Sequence, residues 1–444
     1  MKAVGIHVFA GGFTYGVQQE CEVVAQLERH GFGGATCEAM CEIPFINDKE
    51  GNWPDIEADF AYGNPRCTAF STITAGYSDS VHGPWANACE DIHDLCNYAI
   101  GRYDCVIWES VQQAYSTGRP LLNYIRDEIC APKHYRVAHI LLNAASMGNA
   151  QQRKRYFFVA YRDDRNFNIQ PPAISPYTPV VADAIYDLRE RETHESDLYS
   201  TNYDYDFDSY LQLTPDEKAC VPHLPNGWDT NRLARYGTYL LPDKYKETWK
   251  WRTSDMPFSM HCPHRLNWLR PHPTIHSSAG RFIHPWLHRP LTVGELATVM
   301  GWPRIPVGPN PIGQIAKGVC PEVGTWLAQQ VRLYLNNHWG NDDWESSYDH
   351  HKCEWVGRDT HGAIEKTFNL TRYTGGVVNH ERYPKDVLRR HNFNVDSSTG
   401  ELIHPWDFVR KQNDAHVTRD DRLERHIDEA TRELFDEYPQ EAQS

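Results

Sequence analysis

Over the first 160 residues the chain alternates between two kinds of segment, and this alternation limits its possible folds more than any other feature. Short runs rich in apolar, β-branched and aromatic residues ("DFAYGNP", "YDCVIWES", "RKRYFFVAYR") read as strands. Between them lie amphipathic stretches, "ANACEDIHDLCNYAI" and "GRPLLNYIRDEIC", with helical spacing. The opening "KAVGIHVFAGGFTYGVQQECEVVAQLERHG" reads as a strand, a glycine turn and a helix ending at Gly31, and "GATCEAM" as a second strand ending near Glu38. Such alternation predicts an α/β fold built on a doubly wound sheet. From about residue 165 to 273 the pattern gives way to Pro-, Asp- and aromatic-rich sequence, as an inserted domain would. Helical, apolar segments then return in "RPLTVGELATVMGWP" and "EVGTWLAQQVRLYL". The expected organisation is therefore 1–164, an insert at 165–273, a return segment at 274–338, and an acidic C-terminal extension at 339–444 whose role the sequence does not reveal.

Composition narrows the class. With 444 residues, 40% of them hydrophobic, 14 Trp and 24 Tyr, the chain can bury a sizeable core. No apolar run approaches the roughly 18 residues of a membrane span, and "MKAVGIHVFAGG" lacks the layout of a signal peptide, so a soluble, intracellular protein is expected. The 12 cysteines contain no CxxC pair, and "HCPH" at 261–264 has no second ligand pair to complete a zinc site, so no metal is expected. The net charge of −15 is unevenly spread. Residues 231–273 carry eight Lys/Arg against three Asp/Glu, whereas 181–210 carry two against nine and 341–444 carry 14 against 22.

The chemistry-bearing residues fall where predicted strands end, the edge at which open α/β sheets place their sites. Gly11 and Gly12, in "FAGGFTYG", allow a ligand to approach backbone N–H groups, and Glu38 is placed for ribose hydroxyls. Cys67, in "GNPRCTAFS", follows one strand; Glu109, in "VIWESV", ends a very apolar one; Arg153 and Arg155, in "QQRKR", open a third and alternate onto one face. Individually each could be a tight turn, a buried thiol, a helix cap or a solvated edge. Together a thiol, an acid and two cations suit nucleophilic attack on an electron-poor ring, with Arg66 and its cationic neighbours lowering the thiol pKa.

In this order the segments resemble the cytosine-C5 DNA methyltransferase family. "FAGGFTYGV" is similar to its cofactor loop, "GNPRCTAFS" to its nucleophile loop, "WESV" to its Glu-Asn-Val segment and "GNAQQRKRYFFVA" to its Gln-x-Arg-x-Arg strand. "TIHSSAGRFIHPWLHRPLTVGELATVMGWP" and "QIAKGVCPEV" resemble its last two blocks, so the match spans roughly 5–190 and 274–332. The resemblance implies a Rossmann-like domain dependent on S-adenosylmethionine (SAM), with the insert as target-recognition domain, acting as a monomer on double-stranded DNA inside a bacterial or virus-infected cell. It implies that Cys67 attacks C6 of a flipped-out cytosine, that Glu109 engages N3 and the amino group, and that Arg155, with Arg153, contacts the base oxygen and the active-site loop. Phe9, Gly11, Gly12, Glu38, Pro65, Lys317 and Val319 would line the cofactor, with Asp48 and Asn52 as candidates for the adenine ring. Ser71 and the basic residues Arg232, Arg235, Lys244, Lys246, Lys250 and Arg252 would meet DNA.

The sequence departs from the family at three places. The glycine loop is two residues short, Pro-Arg-Cys-Thr replaces Pro-Pro-Cys-Gln, and "QIAKGV" puts Lys317 where the family has Asn. An ammonium 4 Å from a sulfonium is repelled by roughly 1–4 kcal/mol over effective dielectrics of about 80 to 20. Methyl transfer is the default expectation, with Lys317 turned to solvent or paired with an acid. A carboxylate on the transferable carbon would instead turn the repulsion into attraction, so Lys317 also suggests carboxy-S-adenosylmethionine (carboxy-SAM) and 5-carboxymethylcytosine. The rival functions are an RNA cytosine-C5 methyltransferase and a catalytically silent DNA-binding protein.

Overall fold

The computed structural model describes residues 1–71, 78, 81–170, 172, 179–185, 213, 215–230, 233, 262–276, 281–303, 305, 307–338 and 365–371, with the backbone of 394–395 and 402–403. Its chain divides into two compact units. One comprises 1–205, 271–279 and 292–378; the other comprises 206–270, 280–291 and 379–444.

The first unit holds an eight-stranded sheet. Its strands are β1 (Lys2–Ile6), β2 (Glu22–Glu28), β3 (Phe45–Asn47), β4 (Phe60–Gly63), β5 (Cys105–Val111), β6 (Tyr135–Asn143), β7 (Lys154–Arg162) and β8 (Glu365–Leu370), in the order β8–β6–β7–β5–β4–β1–β2–β3. All neighbours are parallel except β7, which runs antiparallel to β5 and β6. The reversal matters for the site. The carboxyl ends of β1 to β5 share one edge, and β7 begins at that edge, with Arg155 opposite Val111. The strands read as near-continuous apolar runs because they are covered on both faces, as β5 shows with only its last residue not buried.

Two helices line the N-terminal part of the sheet: α1 (Gly12–Val17) follows β1, and α2 (Gly34–Cys41) follows β2. Next come α3 (Glu90–Ala99) and α4 (Arg119–Tyr124), the latter continuing through a wider turn to Cys130. Ile92, Leu95, Leu121, Leu122 and Ile125 from these two helices pack with Val4, Ile6, Val106, Trp108 and Phe158 of the strands into one fully buried core. After α5 (Val181–Ile185) and the return of the chain come α6 (Val293–Val299), α7 (Pro311–Lys317) and α8 (Pro321–Leu335). Thr292 and Glu295 form a reciprocal capping box that starts α6. The first residues of α8 approach α1 so closely that a Cβ on Gly16 would lie 2.1 Å from the Pro321 carbonyl oxygen.

Two sequence readings are corrected here. The segment read as helix up to Gly31 contains β2, and "GATCEAM", read as a strand, is α2. Val23 and Val24 suit the sheet, where β2 pairs in parallel with β1. In α2 the buried residues Thr36, Cys37, Met40 and Cys41 recur at a helical interval. The strands β3, β6 and β8 were not anticipated.

In the second unit, Pro215–Cys220 is a short helix, and His264–Arg265 pairs in parallel with Phe282–Ile283. The buried guanidinium of Arg265 donates to the carbonyl oxygens of Leu224 and Val221 (2.7 Å each), His284 (2.9 Å) and Leu287 (3.1 Å), which ties these segments together.

Candidate active site

β4 ends at Gly63, and the turn Asn64-Pro65-Arg66-Cys67 carries the chain into a 3-10 turn, Thr68–Phe70. Asn64 is buried and its Nδ2 donates to Glu109 Oε2 at 2.5 Å, joining the nucleophile loop to the end of β5. Asn64 escaped sequence reasoning, although a polar residue directly after a buried strand, in "GNP", is the kind of signal that marks it. Glu109 is 2% exposed, and its Oε1 forms an ion pair with Arg155 Nε at 2.8 Å. Burial pushes the Glu109 carboxyl above its ordinary pKa, and Arg155 and Arg153 only partly offset this. Such a group retains a proton more readily than a surface carboxylate.

Cys67 is half-buried at the start of the 3-10 turn. Its pKa lies above the ordinary thiol value. Desolvation is the main cause and Glu109 adds to it, while Arg155 and Arg153 pull it down. The expected lowering by Arg66 is corrected: that guanidinium is paired with Asp91 Oδ2 at 2.6 Å and Oδ1 at 2.9 Å. Ser71 closes the same turn through its N–H to the Thr68 carbonyl. Arg232, Arg235, Lys244, Lys246, Lys250 and Arg252 lie outside the described residues.

The two arginines do different things. Arg155 meets Glu109. Arg153, 2% exposed, donates through Nη2 to the carbonyl oxygens of Ala316 (2.7 Å) and Gly318 (2.9 Å), and through Nη1 to Ile275 (3.1 Å). It therefore grips the backbone on both sides of Lys317. The Lys317 ammonium lies 4.5 Å from the Phe32 ring centroid and 5.9 Å from that of Phe9. Its side chain keeps an exposed surface, yet the surrounding protein lowers its pKa. Desolvation is the first cause; Cys67 acts in the opposite direction and Arg66 adds to the lowering. Cys67 thus acts on the charge of Lys317.

The shortened glycine loop turns through Phe9, whose φ is +52°, and Gly11, whose φ is +86°. Phe9 is held in this left-handed conformation from both sides. Its N–H donates to Glu28 Oε1 at 2.8 Å, and its carbonyl accepts from Gln26 Nε2 at 3.0 Å. A Cβ on Gly12 would lie 2.6 Å from Trp302 Nε1 and 2.7 Å from the Val319 carbonyl oxygen, so the loop is packed against the segment after α7. Pro65 is buried in the nucleophile turn.

Glu38 sits exposed on α2, away from any strand end; the acid that ends the second strand is Glu28. The misplaced strand explains why Glu28 was overlooked. Asp48 follows β3 directly and donates its N–H to the Glu28 carbonyl at 2.9 Å, whereas Asn52 is exposed and donates to Glu50. Glu28 Oε2, 3.7 Å from His7 Nδ1, is a buried acceptor that receives no hydrogen bond. A ribose hydroxyl is a donor of the kind that oxygen lacks, and the residue types along this edge fit an adenosyl cofactor.

A family model described as C-5 cytosine-specific DNA methylase matches residues 10–307. Among solved structures the chain is similar to a putative DNA modification methyltransferase encoded within an E. coli prophage, at 16% identity and TM-score 0.49 over 76% of this chain and 99% of that one. It is also similar to the Entamoeba histolytica methyltransferase EhMeth, at 10% identity and TM-score 0.46 over 76% and 98%. A mutant of Spodoptera frugiperda DNMT2 matches at 13% identity and TM-score 0.44 over 74% and 99%.

Proposed function

The chain belongs to the C-5 cytosine-specific DNA methylase family, and from that premise we propose that it modifies C5 of cytosine in duplex DNA with Cys67 as nucleophile. The observation that carries this reading is the cluster at one sheet edge, where Cys67, Glu109 and Arg155 come together and Arg153 holds the backbone around Lys317.

The target base must leave the stack to reach this edge. The Cys67 thiolate adds to C6 while Glu109 holds a proton at N3, and negative charge moves toward C5 and the O2 carbonyl. Arg155, already paired with Glu109, is placed to stabilise that oxygen. Asn64 orients the Glu109 carboxyl through its 2.5 Å hydrogen bond. When bound, the S-adenosylmethionine-type cofactor would supply an electrophilic carbon to C5, its sulfur–carbon bond breaking so that a neutral thioether leaves. Loss of the C5 proton to solvent, rupture of the C6–Sγ bond and return of the N3 proton to Glu109 then restore the ring and release Cys67. Glu28, Phe9 and Asp48 would hold the adenosyl part and Val319 would border it. The basic stretch 231–273 would bind the phosphates.

Lys317 extends the proposal to the group transferred. Its ammonium lies 4.5 Å from the Phe32 ring centroid and 5.9 Å from that of Phe9 in the cofactor loop, and Cys67 acts on its charge, which supports a position near the transferable carbon. A carboxylate on that carbon would pair with it, so carboxy-SAM is the preferred donor and 5-carboxymethylcytosine the product. The test is incubation with duplex DNA and each cofactor separately, followed by nucleoside mass spectrometry. 5-Carboxymethylcytosine with carboxy-SAM is the expected result. Methylcytosine alone from both cofactors removes the role given to Lys317, and no modified cytosine from either removes the whole reading.

A further inference from the structure

We propose that Arg66 and Asp91 form a tether that positions the nucleophile loop, doing with an ion pair what a proline ring would do at the same place. The inference deepens the function proposed above and rests on it, because the group positioned is Cys67. The residue directly before the nucleophile is Arg66, where the family has proline. Proline would fix φ and remove the N–H. An arginine restores both the N–H and a rotatable φ, which by itself would loosen the turn that presents the sulfur.

The structure shows where that freedom goes. Arg66 is not among the residues with a positive φ. Its backbone N–H points to Asp91 Oδ2 at 3.4 Å, and its guanidinium grips the same carboxylate by two atoms, at 2.6 and 2.9 Å. Asp91 is a firm anchor. It is 0% exposed and lies in the first turn of α3, where the helix dipole favours an anion. Burial raises its pKa, but Arg66, His7 and His30 together bring it below the ordinary carboxylate value. Three attachments thus run from one residue to a buried helix, and the next residue is Cys67. The Arg66 guanidinium is engaged by Asp91 through two atoms and is directed at α3. Its role is geometric.

The experiment compares Arg66→Ala, Arg66→Lys, Asp91→Asn and the double variant Arg66→Pro/Asp91→Asn, each checked for fold by circular dichroism. The readouts are kcat, KM for DNA and for cofactor, and the rate and pH midpoint of Cys67 alkylation by iodoacetamide without DNA. A tether predicts that Arg66→Ala and Asp91→Asn lower kcat at least about tenfold with each KM within about twofold. Arg66→Lys, which keeps the charge but not the two-pronged grip, should fall between and stands in if the alanine variant does not fold. The double variant regains the ring constraint without burying an unpaired charge, so it should recover most of the lost kcat with an unchanged thiol midpoint.

Unchanged kcat in Arg66→Ala and Asp91→Asn overturns the tether. So does a rise in KM for DNA with kcat preserved, which would make Arg66 a phosphate ligand, or a thiol midpoint that climbs in the double variant, which would make its role electrostatic. If the unaltered enzyme modifies no cytosine, the functional reading fails separately. The alkylation arm still decides the tether, by faster alkylation in Arg66→Ala at an unchanged pH midpoint that returns to the unaltered rate in the double variant; slower alkylation with a raised midpoint would overturn it.

Discussion

Glu109 makes the Cys67 thiol harder to ionise, and burial raises the pKa of both groups. Around the pH at which the thiol titrates, Glu109 is an anion and raises the thiol pKa. Glu109→Gln should therefore move the midpoint of Cys67 alkylation to lower pH while cutting turnover by about 10²-fold or more, because the proton donor at N3 is gone. A better thiolate in a worse enzyme would be the signature. Stability should follow the same residue. The folded-state pKa of Glu109 is raised, so its favourable contribution is complete below the unfolded carboxylate pKa and is lost as pH rises through the folded one. Thermal melts should show the unaltered protein losing ground to Glu109→Gln between acid and neutral pH. At Lys317, replacement by asparagine should reverse the donor preference, favouring SAM over carboxy-SAM in competition assays, by about tenfold for each 1.4 kcal/mol of ion-pair energy removed. Cys67, Glu109 and the two arginines were legible in the sequence because each interrupts an apolar strand boundary. Glu28 and Asn64 were not: Glu28 depended on the true position of β2, and Asn64 resembles any polar residue in a turn.

At the level of elements, β8 is the part of the sheet that sequence patterning hid most completely. "EKTFNL" opens with two charges and suggests a surface, yet Glu365, Lys366 and Thr367 are all buried. Glu365 bonds to Arg119, to Arg126 Nη1 at 2.5 Å, and lies 2.6 Å from His139 Nε2; His139 Nδ1 in turn meets the Tyr156 hydroxyl at 2.6 Å. Lys366 Nζ donates to the Phe167 carbonyl at 3.0 Å. These partners lie between 199 and 246 residues away along the chain, so no local pattern could announce them. Glu365→Ala leaves two guanidinium groups and a buried imidazole facing a hole, and should cost about 3–5 kcal/mol in denaturant unfolding. Tyr156 adjoins Arg155 on β7, so the loss should also lower turnover. The misread α2 teaches a related lesson. Eight residues containing both Cys and Thr carry little propensity either way, and only the 36, 37, 40, 41 spacing separates helix from strand.

Across the whole molecule, charge is sorted by segment: a net −15 chain concentrates its cations at 231–273. Neutralising Arg232, Lys244 and Lys250 together should weaken DNA binding without regard to sequence. The slope of log K against log salt should then fall by about 0.9 for every phosphate left without its cation. Cys67 alkylation should not change, since the chemistry belongs to the sheet edge. The broad α/β architecture was readable because parallel strands buried on both faces are conspicuous runs, and their carboxyl ends indicate where a site belongs. The edge strands were not readable, being short in β3 and charged in β8.

Arg153 holds the carbonyls of Ala316 and Gly318 and leaves the side chain between them outside its grip. These bonds involve only backbone on either side of residue 317. If the proposed role of Lys317 holds, a single codon would alter what is written onto DNA while the residues that hold the base stay as they are.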